Sequence, residues 1–341
     1  MLNDRQIDDT QAKNIYRFRS STDYNYQALL EKKIYASTPN ILNDPLDCGI
    51  TYSLDVLFDR LKTKKRFIDY LLSSSFEWDF KELLSDEIRR EEGMEDYLRS
   101  APEDVRAPYI LKKTIDVIAK TIIHDLRDCF GVVSFTLNPG NSVMWSHYAS
   151  NFTGFVLGYD FKGFNKAVQK AVAPYQAKGH CKDLYGLHLV KYVSTDEIVD
   201  GTDLMYELIL KRIAKNHSFE TMIEFVTQSK NYQLFLSLLI TKDKSWEYER
   251  EVRLILPRED DDYLVKKVLH YSSAPYFAVS DQYAPDEIII GMDMSKSNRA
   301  IIGYYCLTND KTSLWTIDDS RMMSERSLYK KLIKPSDILK R

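Results

Sequence analysis

Two hydrophobic periods alternate along the chain, and the switches between them set out its elements. Ile15-Tyr-Arg-Phe-Arg-Ser20 alternates at period two, so it predicts a short strand. Tyr16 and Phe18 share one side of it, Arg17 and Arg19 the other. Asp23 can cap a helix over Tyr24–Lys33 with Tyr26, Leu29 and Leu30 inward. Ile34–Ser37 predicts a second strand. The run Asn43-Asp-Pro-Leu-Asp47 then predicts a turn-rich loop, because Asn and Asp before Pro bond back to their own backbone. From 51 to 128 the spacing is helical. Leu54, Leu57, Phe58 and Leu61 form one stripe, and Phe67, Tyr70 and Leu71 another. Phe80–Arg99 is charged like a solvated helix, Pro102 and Pro108 punctuate, and Lys112–Asp128 carries Ile115, Ile118, Ala119, Ile122 and Ile123 on one face.

Strand texture returns at Gly131–Leu137 and breaks at Asn138-Pro-Gly-Asn141. A short helix over Val143–Ala149, a strand over Gly154–Tyr159 and a helix over Phe161–Ala173 follow. Leu187–Val193 predicts a strand, and Leu204–Lys215 and Phe219–Ile240 predict helices. The remaining elements are strands at 245–256, Tyr263–Leu269, Glu287–Gly291 and Ser313–Ile317, with a helix from Ser295 to Tyr305 before the last. Ser327–Arg341 reads as basic and helical. Strands are short and helices come in blocks, without βαβα alternation. The class is therefore α+β, with a small split, mostly antiparallel mixed sheet and large helical insertions. We expect one domain over 14–318, insertions at about 51–128 and 160–240, and a C-terminal basic helical tail at 319–341.

Composition narrows this only a little. The 341 residues are 44% hydrophobic and 28% charged, with a net charge of −3, so nothing pulls the whole chain toward nucleic acid or an anionic membrane. No apolar run approaches the roughly 18 residues of a spanning helix. The polar start Met1–Gln6 lacks the core of a signal peptide, and the four scattered cysteines fit a reducing compartment, so the expected location is cytoplasmic. Phosphate-loop, dinucleotide-fold, HExxH and GxSxG patterns are absent. His180-Cys181 with His188 is too loosely spaced to predict a metal site, and none is expected.

The stretch with the most unusual chemistry is Lys244-Ser-Trp-Glu-Tyr-Glu-Arg-Glu-Val-Arg-Leu-Ile-Leu256. Taken as a strand, it puts Glu247, Glu249, Glu251 and Arg253 on one face, and Trp246, Tyr248, Val252 and Leu254 on the other. Three like charges on one face repel. That face is either a solvated edge or the wall of a cleft where Glu249 and Glu251 do chemistry.

Several short motifs in order resemble the bacterial family called domain of unknown function 2971. They are Tyr16-Arg-Phe-Arg-Ser20, Tyr35-Ala-Ser-Thr-Pro39, Asn43-Asp-Pro45 with Asp47, Ser134-Phe-Thr136 and Met144-Trp-Ser-His-Tyr-Ala149. Gly154, Lys244 with Trp246, Tyr248-Glu249, Glu251, Arg253, and Ile288-Ile-Ile-Gly291 complete the set. The chain is also similar, more loosely, to ADP-ribosyltransferases of the Arg–Ser–Glu type. These carry an Arg on a first strand, a Ser-x-Thr or Ser-Thr-Ser element on a middle strand and Glu-x-Glu on a later one. The matching residues here are Arg17 or Arg19, Ser134-Phe-Thr136 and Glu249-Arg-Glu251.

The second resemblance implies an ADP-ribosyltransferase-like core acting on NAD as substrate, by transfer of ADP-ribose or by hydrolysis. Glu251 would stabilise the cationic ribose formed as the nicotinamide bond breaks, and Glu249 would orient or deprotonate the acceptor. Ser134 would hold ribose or position Glu251, with Thr136 in support. Arg17 and Arg19 would grip the pyrophosphate. Tyr35, Trp145 or Tyr148 would stack on nicotinamide, unless each is ordinary core packing, and His147 would orient a carboxylate or make a structural hydrogen bond. The acceptor would be a protein, a nucleic acid or water, no membrane is involved, and a regulatory partner is left open. A toxin or antiphage effector would suit such an activity by analogy. Two alternatives stand beside it: a metal-dependent nuclease or hydrolase that needs Asp44 and Asp47 to converge with the glutamates, and a non-catalytic binding or sensor module.

Overall fold

The alternating stretch near the N-terminus forms strand β1 (Asn14–Arg19) in the computed structural model, which describes residues 12–42, 44, 47–72, 81–90, 100, 102–128, 130–177, 184–194, 200–214, 231–257, 284–318 and 329–339. The chain divides into two compact units. One comprises 1–42, 130–195 and 240–341, the other 43–129 and 196–239.

The first unit holds the sheet. Its strands are β1, β2 (Phe130–Thr136), β3 (Phe155–Asp160), β4 (Gly186–Leu189), β7 (Glu251–Pro257), β8 (Glu287–Ile290), β9 (Ser313–Asp318) and β10 (Tyr329–Leu332). They lie in the order β10-β9-β8-β3-β1-β2-β7-β4. Every pairing is antiparallel except β8 with β9, so the fold is α+β around a mostly antiparallel mixed sheet. Two short strands, β5 (Lys191–Val193) and β6 (Thr241–Asp243), form a separate parallel pair.

Register decides which side chains share a face, because residues directly opposite point the same way. Tyr16 pairs with Thr136, and Thr136 with Glu251, while Ser134 pairs with Arg253, and Arg253 with His188. Those residues occupy one face. Helix α6 (Ser142–Tyr148) packs there through Trp145, which is fully buried, edge-on to Phe18 at 5.3 Å and stacked on Phe152 at 5.6 Å. Asn141 caps α6 by accepting from the Val143 and Met144 amides. Arg17, Arg19, Leu157 and Tyr159 fall on the opposite face. Helix α1 (Asp23–Leu30) covers part of it, with Tyr26 stacked on Phe155, and helix α7 (Phe161–Ala177) adds Phe164 against Phe135 and Tyr159. Fully buried side chains such as Ile15, Phe155 and Ile288 each contribute about 1.5–3 kcal/mol by leaving water.

Two glycines of the motif set have a steric reason. A Cβ on Gly154 would sit 2.1 Å from the Arg19 carbonyl oxygen, and one on Gly291 would sit 1.9 Å from that of Phe152. Both positions need the backbone itself at closest approach.

The second unit is helical: α2 (Leu54–Leu61), α3 (Lys65–Leu71), α4 (Lys81–Arg90), α5 (Glu103–Asp128), α8 (Thr202–Arg212) and α9 (Asn231–Leu239). Its interior includes the predicted stripes, with Leu57, Leu61, Phe67, Ile115, Ile118 and Ile122 fully buried. Helix α5 starts directly after Pro102 and runs through Pro108, so only the first of those prolines punctuates. The predicted insertion at 51–128 belongs to this unit. Of the predicted insertion at 160–240, residues 160–195 belong to the sheet unit and only 196–239 to the helical one.

Four predicted elements differ. Ile34–Ser37 is no strand, since only Ser37 bridges to Val132. Leu187–Val193 is two strands, β4 and β5, parted at Val190. Of the helical tail, Tyr329–Leu332 is strand β10, and helix is confined to α11 (Pro335–Leu339), which packs on α10 (Lys296–Thr308). The predicted strand at 245–256 is a 3-10 turn over Lys244–Glu249 followed by β7. Asp243 caps the turn at the Ser245 amide, and Arg250 reverses the chain in the left-handed region at φ 43°. The predicted strand Tyr263–Leu269 lies outside the described residues.

Candidate functional site

Strand β6, the turn at 244–249 and the start of β7 bring four charged side chains together under one sheet face. Lys242, Glu249, Glu251 and Arg253 are 6%, 4%, 3% and 0% exposed. Arg253 clamps Glu251 with two bonds, Nε to Oε1 at 3.1 Å and Nη2 to Oε2 at 3.0 Å. Lys242 Nζ donates to Glu249 Oε2 at 2.7 Å and lies 3.5 Å from Glu251 Oε2. It also sits 4.7 Å from the Trp246 ring centre. Two cations thus meet two carboxylates, which is what allows four charges to be buried at all.

Neutral groups complete the cluster. The Tyr148 hydroxyl donates to Glu249 Oε1 at 2.6 Å, and the Glu251 amide donates to the Tyr192 hydroxyl at 2.8 Å. Thr136 Oγ1 donates to the Glu249 carbonyl at 2.6 Å and accepts from the Asn138 amide at 3.0 Å, so it pins the corner. Ser134 hydrogen-bonds Glu251. It is the one exposed residue in a strand whose other residues are all buried. The cluster therefore reaches solvent at Ser134.

The carboxylates have opposite proton affinities. Burial pushes Glu251 up, but Arg253 and then Lys242 outweigh it, holding the acid down at about 2. Glu249 is raised, because burial outweighs Lys242 and the Tyr148 bond. Glu251 is thus ionised throughout the neutral range, while Glu249 keeps its proton to a higher pH than an ordinary glutamate. Tyr192, between burial and the two glutamates, is pushed above the ordinary phenol value and stays neutral.

Glu249, Glu251, Ser134, Thr136 and Tyr148 thus meet in one cluster, Tyr148 through a hydrogen bond to Glu249 and not as a stacking ring. Glu247 is exposed outside the cluster. Trp145 is core: its ring is sealed by Phe18 and Phe152, and its Nε1 donates to the Pro139 carbonyl at 2.8 Å, so it offers no face to a ligand. His147 is exposed, and its side-chain hydrogen-bond partner among the described residues is the Tyr248 hydroxyl at 3.5 Å, not a carboxylate.

The expectation of one cleft lined by Arg17, Ser134 and Glu251 is corrected. The Tyr16–Thr136 register turns Arg17 and Arg19 to the other side of the sheet. Tyr35 goes with them, its carbonyl accepting from Arg17 Nη2 at 2.7 Å and its ring packed against Tyr24 at 4.8 Å. Asp44 and Asp47 belong to the helical unit. His188 is buried, its Nε2 at 3.0 Å from the Leu184 carbonyl, and His180 and Cys181 lie outside the described residues. No group of three His, Cys, Asp or Glu able to hold a metal exists among the described residues, and no described helix is long and apolar enough to cross a membrane.

Lys242 and Tyr192 escaped the sequence reading. Lys242 sits in a run, Thr241-Lys-Asp-Lys244, that looks like an ordinary polar link. Only the fold shows that its neighbour Lys244 is exposed while Lys242 is enclosed.

Part of the cluster lies within a stretch, about a third of the chain, that is similar to a known family. Residues 144–254 match the model of a family described as Protein of unknown function (DUF2971). The DUF2971 match takes in Lys242, Glu249, Glu251 and Arg253 and leaves out Arg17, Tyr35, Ser134 and Gly291. No curated protein and no solved structure matches the chain. The similarity to ADP-ribosyltransferases rests on the motif residues alone.

Proposed function

We propose that the face carrying Ser134, Glu249 and Glu251 cleaves an N-glycosidic bond, with NAD as the substrate, either by hydrolysis or by passing ADP-ribose to an acceptor. One observation carries the reading. Two glutamates share one lysine beneath a solvent-facing serine, and their proton affinities are driven apart. Such divergence within a pair is how a site divides a fixed charge from a proton carrier. Glu251, ionised and held by Arg253, would stabilise positive charge growing on the ribose through a preorganised field. Ser134, bonded to it and open to solvent, would make the first polar contact with the sugar. Glu249 would take the proton from the acceptor, with Tyr148 as its partner. The adjacency of β2 and β7 supports the reading too, since Ser134 and Glu251 come from these neighbouring strands and Glu249 from the turn between β6 and β7. Arg17 has no part in it.

A second reading has its own support. All four charges are nearly sealed, as in an ion-pair network that only locks the β6–β7 corner. Nicotinamide release from NAD, measured for the wild type and for Glu251→Gln with folding checked by tryptophan fluorescence, separates the two. Release that Glu251→Gln abolishes supports cleavage. No release by folded wild type, with water, protein or nucleic acid as acceptor, supports the lock.

A further inference from the structure

Arg17 is a buried cation with an unmet need. It is 8% exposed. Its Nη2 donates to the Tyr35 carbonyl, but its Nη1 is buried with no hydrogen-bond partner. Neither Arg17 nor Arg19 makes an ion pair among the described residues, and the charge nearest Arg17 in effect is the like charge of Arg19. Burial and that repulsion both favour loss of the charge. Leaving a guanidinium unpaired in the interior is among the costliest arrangements a fold can hold. The carboxylates of the cluster described above cannot relieve it, because they face the other way and already have partners.

We propose that Arg17 and Arg19 form a binding site for a phosphate group, free or at the end of a phosphomonoester, on the sheet face opposite Glu251. Charge sets the class. Two guanidiniums match a phosphate of nearly two negative charges better than a carboxylate of one. Their planar forks suit its tetrahedral oxygens. The way in is the end of β1, where Arg19 is half-buried and Tyr24 is 42% exposed. Tyr24 and Tyr159 flank both arginines electrostatically, and the Tyr24–Tyr35 ring pair walls the site. The inference does not depend on what Glu249 and Glu251 do.

Thermal melting of the full chain at pH 7.5 tests it, with inorganic phosphate, AMP, acetate and chloride compared at equal ionic strength. Phosphate or AMP is expected to raise the midpoint by about 2–4 °C over chloride and acetate. A larger rise with phosphate identifies the free anion as the ligand, and a larger rise with AMP the monoester. Arg17→Met and Arg19→Gln should each abolish the rise. Arg19 has no side-chain hydrogen bond among the described residues, so its variant reads the site even if Arg17→Met does not fold. Equal melting in phosphate, AMP and chloride, an equal rise with acetate, or a rise retained by Arg19→Gln would overturn the proposal.

Discussion

Replacing Arg253 by Met isolates the clamp on Glu251. Arg253 is fully buried and gives Glu251 two hydrogen bonds, at 3.1 and 3.0 Å. Glu251 is held at about 2 against an ordinary value of 4.5, a gap worth about 3 kcal/mol, with Arg253 first among the groups that lower it against the cost of burial. Two charge-assisted bonds at about 1.5–3 kcal/mol each give the same order. Lys242, 3.5 Å away, remains to shield part of the charge, so the expected loss at pH 7 is about 3 kcal/mol, the lower end for breaking a buried pair. The sign follows from the depressed acid. Its stabilisation is full above 4.5 and is lost as pH falls toward about 2, so the difference between wild type and variant should shrink on acidification. Urea unfolding followed by tryptophan fluorescence at pH 7 and pH 3 measures it. Three of the four tryptophans, Trp145, Trp246 and Trp315, belong to the sheet unit. A loss below about 1 kcal/mol at pH 7, or a loss equally large at pH 3, would refute the reasoning.

Four further outcomes follow from the same geometry. Glu249 must be deprotonated to act as base, and it is raised, so kcat/KM should climb with pH through an acid above the ordinary 4.5; the pH profile of Glu249→Gln should lose that limb, with activity down about 10²–10⁴-fold. Ser134→Ala should cost about 1 kcal/mol, the worth of its bond to Glu251, yet lower nicotinamide release; unchanged release would remove Ser134 from the site. Trp145→Ala should cost about 3–5 kcal/mol in urea unfolding, since it empties the space between Phe18 and Phe152. Gly291→Ala should lower the melting temperature by forcing the backbone away from the Phe152 carbonyl, and a wild-type midpoint would show that the turn yields freely.

Long runs of one period were legible in the sequence. The stripe Ile115–Ile122 and the strands at β1, β2, β3 and β8 stand where apolar spacing puts them, because burial of one face rewards each residue in turn. The spacing of Glu247, Glu249 and Glu251 was ambiguous. It suits a strand face, but the chain turns instead, and no glycine at Arg250 marks the left-handed residue that makes the reversal. The meeting of Glu249 with Glu251 was expected, though from a different backbone path. Partnership across strands was not legible. Alternation says that Arg17 and Tyr16 point apart, but a register one residue different would have put Arg17 beside Glu251. Lys242 was hidden for a related reason: its burial comes from Glu249 and Trp246 folding over it, and no local pattern announces that.

The most direct test of the account is the rate of nicotinamide release from NAD by the wild type and by Glu251→Gln, at equal concentration and with matched fluorescence spectra. If Glu251 supplies the fixed charge, the wild type releases nicotinamide and the variant is about 10²–10³-fold slower. Equal rates, or no release by folded wild type with any acceptor, would contradict it and leave the Lys242–Glu249–Glu251–Arg253 cluster as a structural lock.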